Sequence, residues 1–92
     1  MFAHAHVAME EADRRALAAI WRERLENARS RYEAAKATVQ GARELQSQIP
    51  SPDGNFTLDH ALRAEYRALA EFNRLLTIFN ALVVHGNIPE ED

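Results

Sequence analysis

Basic side chains recur at seven-residue spacing in the first half of this chain, at Arg22, Arg29, Lys36 and Arg43. Seven residues are two helical turns, so on a helix these cations stand in one row about 10 Å apart. Such a row is a candidate anion-binding surface, because each cation placed on a phosphate adds salt-dependent affinity. It is also what the charged flank of a helix pair looks like, with aliphatic stems covering an apolar seam and head groups meeting acids. Glu26 and Glu33, each three residues before Arg29 and Lys36, fit the second reading. Net charge is −3, and the sequence holds no groove-reading motif and no aromatic stacking set, which argues against nucleic acid as the partner.

The other residues with chemical potential do not assemble. The chain has no cysteine, hence no disulfide, no thiolate zinc site and no thiol nucleophile. His4 and His6 form a His-x-His pair, a weak transition-metal site by itself. His60 and His85 fall at opposite ends of one helix, about 37 Å apart by helix rise. No glutamate is followed three residues later by histidine, the spacing that di-iron bundles use. Ser30, Ser47 and Ser51 have no histidine nearby in sequence, and three glycines lie too far apart for a phosphate loop. The expectation is a non-enzymatic protein with no metal and no cofactor.

Two elements carry these residues. From Met9 to Gln48 there is no proline, and alanine, arginine, glutamate, leucine and glutamine dominate, all good helix formers. Small or apolar residues fall at Ala18, Trp21, Leu25, Ala28, Tyr32, Ala35, Val39 and Ala42, alternating steps of three and four that mark a coiled-coil-like seam. The seam continues through one polar residue, Gln46, to Ile49. Pro50, Pro52, Asp53 and Gly54 then interrupt the helix, so a turn is expected over 49–57. A second helix is predicted over 58–85, with Thr57 as N-cap, Gly86 just past its end and Pro89 blocking continuation. Its seam reads Leu58, Leu62, Glu65, Leu69, Phe72, Leu76, Phe79 and Val83. The fold class is therefore all-α, an antiparallel two-helix hairpin with helices at about 9–48 and 58–85. One domain spans residues 1–92, with a flexible or short helical extension at 1–8 and an acidic tail at 86–92.

The last three turns of the second helix hold more apolar residues than one neighbour covers. Beside the seam stand Leu75, Ile78, Leu82 and Val84, whereas a helix presents an apolar stripe about 100° wide to a single partner. A face of that size marks an interface. A two-fold dimer forming a four-helix bundle is the simplest way to cover it, since closed isologous dimers are the commonest assembly. The expected interface residues are Trp21, Leu25, Tyr32, Phe72, Leu75, Leu76, Phe79, Leu82 and Val83. Two alternatives are a different protein partner and a fold-back of the N-terminal Phe2, Val7 and Met9 over the same face. The longest apolar stretch, Leu75 to Val84, is interrupted by Thr77 and Asn80 and is about half of what a bilayer crossing needs, so no membrane partner is expected. The N-terminus has neither a basic start nor a continuous apolar run, and a cytoplasmic location is the expectation.

Overall fold

The computed structural model describes residues 11–89. It is a hairpin of two antiparallel helices, α1 (Glu11–Gln48) and α2 (Pro52–His85). The readings made for residues 1–10, including the His4/His6 pair and the fold-back of Phe2, Val7 and Met9, lie outside the described residues, as do those for 90–92. The molecule is a rod with extents of 69 × 18 × 17 Å. Its radius of gyration is 19.5 Å, against about 12 Å for a compact domain of this length. A rod of this kind has one narrow core, the line where its two helices touch.

α1 begins with Glu11 and Asp13 in its first turn, where negative charge favours the helix dipole. Its buried residues are Trp21, Leu25, Ala28 and Val39, all on the seam read from the sequence. Ile49, read as the end of that seam, lies outside the helix and is exposed.

The turn is shorter than the sequence indicated. Only Ile49, Pro50 and Ser51 separate the helices, and α2 starts six residues earlier than the expected Leu58. Ser51, with extended backbone, is the N-cap, and its Oγ accepts a hydrogen bond from the Gly54 N–H at 2.9 Å. Pro52 follows at the start of the helix, where its missing N–H costs nothing and its fixed φ is already helical. The same Pro-Asp-Gly that suggested a turn is therefore the first turn of α2, and Thr57 lies inside the helix. Gln46, the polar exception on the α1 seam, clasps this junction. Its Nε2 donates to the Ser51 carbonyl at 3.2 Å and to Asn55 Oδ1 at 2.7 Å, and its Oε1 accepts from the Ser51 N–H at 3.4 Å. Gly54 is where a side chain would collide with that amide. At the far end Gly86 takes the left-handed conformation (φ 72°), and the N–H groups of Gly86 and Asn87 close on the carbonyls of Leu82 and Ala81.

The seam of α2 differs from the one read in the sequence. Its buried residues are Ala61, Leu75 and Leu82, with Phe72 and Phe79 partly buried beside them. Leu76 and Val83, expected inside, are exposed. The observed seam keeps the predicted Leu58, Glu65, Phe72 and Phe79, all partly buried, and replaces the row of Leu62, Leu69, Leu76 and Val83 by the adjacent row of Ala61, Ala68, Leu75 and Leu82. Near the turn Ala61 is buried and Ala68 partly buried on the seam, while Leu62 and Leu69 lie half-buried on its flank. At the open end Trp21, Leu25 and Ala28 cluster with Leu75 and Leu82.

Candidate interaction face

In an antiparallel pair the residues beside the seam form two flanks, one on each face of the hairpin. On the first, Trp21, Arg24, Asn27 and Arg31 of α1 meet Glu71, Arg74 and Leu75 of α2 around an open cleft of about 240 Å³. Arg74 donates two hydrogen bonds to the Glu71 carboxylate, at 3.0 and 2.8 Å. Those bonds, with the charges of Arg74 and Arg31 nearby, hold the Glu71 carboxyl below the usual glutamate range against a smaller opposing effect of burial. The Arg24 guanidinium lies 4.5 Å from the Trp21 ring centroid. Beneath it the Trp21 Nε1 is buried with no acceptor among the described residues, a loss of about 1–3 kcal/mol.

The second flank has a different character. From α1 it takes the row Arg22, Arg29, Lys36 and Arg43; from α2 it takes Leu62, Leu69, Leu76 and Val83, also seven residues apart. Arg22 lies over the Phe79 ring at 5.5 Å, which ties the two rows to the same face. Arg29 stands 3.7 Å from Glu26, and Lys36 stands 3.9 Å from Glu33 and 5.4 Å from the Tyr32 ring. The basic row is thus interleaved with acids. Leu62 and Leu69 are half-buried, whereas Leu76 is 36% exposed and Val83 56%. Tyr66, one turn from Leu62 and Leu69, is 75% exposed.

The nine residues expected at an oligomer interface therefore separate. Trp21, Leu25, Leu75 and Leu82 form the hairpin's own core, with Phe72 and Phe79 packed against it. Tyr32 stacks on Phe72 with ring centroids 6.2 Å apart. Leu76 and Val83 alone lie outside that core, on the second flank. Leu62, Leu69 and Tyr66 join them there, whereas the sequence reading assigned both leucines to the internal seam. The available signal was the doubled pattern itself: two staggered heptad rows on one helix, only one of which a single neighbour can cover.

A further, mainly apolar and open cleft of about 340 Å³ lies at the turn, bounded by Ala42, Leu45, Gln46 and Ile49 at the end of α1 and by Ser51, Asp53, Gly54 and Thr57. Among the described residues no three histidine or acidic side chains converge on a point that could hold a metal ion, and no helix is long and apolar enough to cross a membrane. The chain matches no protein-family model, no curated protein and no solved structure.

Proposed function

We propose that this chain is a helical interaction module that self-associates through the second flank of the hairpin, with the outer row of α2 at its centre. One observation carries the reading. Leu62, Leu69, Leu76 and Val83 repeat every seven residues along about 30 Å of helix, outside the hairpin's own core, and become more exposed toward the open end. Continuous heptad rows are the pattern by which helices pack on other helices. The thinness of the hairpin supports it. Among the described residues the buried set is seven side chains, two of them alanine, which is little for a chain of 92 residues to stand on alone. Glu26 and Glu33 beside Arg29 and Lys36 give this edge both signs of charge, which favours a protein face over a dedicated anion-binding row.

The test is sedimentation equilibrium on the wild type and on Leu76→Asp and Val83→Asp. Because both residues lie off the internal seam, the substitutions should leave helicity by circular dichroism nearly intact. They should reduce the wild-type oligomer to single chains, since a carboxylate buried without a partner costs several kcal/mol. A wild type that remains monomeric at micromolar concentration overturns the proposal.

A further inference from the structure

Self-association through this flank leaves several arrangements of two copies, and the order of charges on α1 selects among them. Along the outer edge of α1 the sign alternates: Glu26, Arg29, Glu33, Lys36, at steps of three, four and three. We infer that two copies pack face to face and antiparallel about a two-fold axis at the level of Arg31 and Glu71. In that arrangement Arg29 and Lys36 of each copy meet Glu33 and Glu26 of the other. The inference rests on the self-association proposed above and adds its geometry.

Residues 29 and 33, like 26 and 36, are equidistant from Arg31. An antiparallel pairing centred there places each cation against an acid, and the two-fold repeats both contacts. A parallel arrangement about a two-fold along the rod would instead lay α1 of each copy on α2 of the other, setting the basic row against the leucine row and leaving the cations without acids opposite. The within-chain ion pairs leave capacity for the second partner: Glu26–Arg29 and Glu33–Lys36 are long, at 3.7 and 3.9 Å, and all four side chains are about half exposed or more.

The α2 row is compatible with the same axis. Within the hairpin Arg31 lies close enough to Glu71 for its charge to stabilise that carboxylate, so residues 31 and 71 share one level along the rod. About a centre at Glu71, Leu69 meets Asn73 of the second copy, Leu76 meets Tyr66, and Leu62 meets Asn80. Exposed Tyr66 thereby gains an apolar neighbour. Asn73 and Asn80 lie at the border of the leucine row, where their amides remain hydrated or bond across it and favour one register. A shift of one heptad toward the open end would bring Arg22 into the ion pairs in place of Lys36. It would cover less of α2, whose midpoint is near Leu69.

Charge exchange tests this directly. Glu26→Lys with Glu33→Lys makes the edge uniformly basic; Arg29→Glu with Lys36→Glu makes its centre acidic. Each double variant alone should sediment as a single chain where the wild type is a dimer. An equimolar mixture should recover a heterodimer, binding about tenfold or more tighter than either variant binds itself. Circular dichroism on each variant confirms that the helices persist. Arg22→Gln, opposite Gln40 in this register, should leave the dimer unchanged, whereas Lys36→Gln should weaken it. A wild-type dimer indifferent to the exchanges, a mixture that stays monomeric, or an Arg22→Gln loss equal to that of Lys36→Gln would each overturn the arrangement and leave self-association standing. A monomeric wild type removes both.

Discussion

Leu75 and Leu76 are neighbours in sequence with opposite fates, and replacing each by alanine tests the seam of the hairpin and the outer row together. Leu75 is 4% exposed and packs in the cluster with Trp21, Leu25, Ala28 and Leu82. Its truncation removes buried carbons and leaves a cavity that two stiff helices cannot close. The cost should be about 3 kcal/mol, within the range for buried leucines. For a domain of this size that corresponds to a fall in melting temperature of more than about 10 °C. Leu76 has about a third of its surface in water, and truncation there leaves no closed cavity. Within one chain its loss should be about 1 kcal/mol, from reduced apolar burial alone. The assay is thermal or urea unfolding followed by circular dichroism over a hundredfold range of protein concentration. Leu75→Ala should be strongly destabilised at every concentration. Leu76→Ala should approach the wild type on dilution and fall behind it at high concentration, because association stabilises the folded form by mass action. Equal losses for the two variants in dilute solution would refute the seam assignment. A Leu76→Ala deficit that does not grow with concentration would refute the outer row as a contact surface.

Other consequences follow from the helix ends and from the charged flank. Gly41 is exposed two turns before the end of α1, with open space where a methyl group would project, so Gly41→Ala should raise stability by about 0.5–1 kcal/mol in urea titrations; Gly54→Ala should lack that gain, since its methyl would displace the Gln46 amide from the turn. Ser51→Ala should cost about 1 kcal/mol and increase hydrogen exchange at the Gly54 amide, which loses its acceptor. Glu71 titrates below its unfolded value, so its contribution is present above the ordinary glutamate range near pH 4.3 and is lost as pH falls through the lowered folded value. Unfolding measured from pH 7 to pH 2 should therefore show a shallower acid loss in Glu71→Gln, by under about 1 kcal/mol because the Glu71–Arg74 pair is solvent-exposed.

The amino-acid order by itself determined that there are two helices, that they return on one another, and where α1 presents its seam. Long runs without proline set the helices, and Trp21, Leu25, Ala28 and Val39 have few apolar competitors on α1, so their spacing left one buried face. Gly86 likewise marked the end of α2, because a left-handed cap there suits glycine best. Two things needed the tertiary structure. Pro52-Asp53-Gly54 carries signals for a turn and for a helix start. Ser51 Oγ on the Gly54 N–H and the Gln46 clasp resolve them in favour of the helix. On α2, Ala61, Ala68, Leu75 and Leu82 have the same period as Leu62, Leu69, Leu76 and Val83, so periodicity cannot rank them. The choice depends on which row fits against Trp21, Ala28 and Val39 at close approach, a matter of volumes on another helix. Once one row turns inward, the other is left outside, and the surface on which the functional proposal rests is decided by that packing.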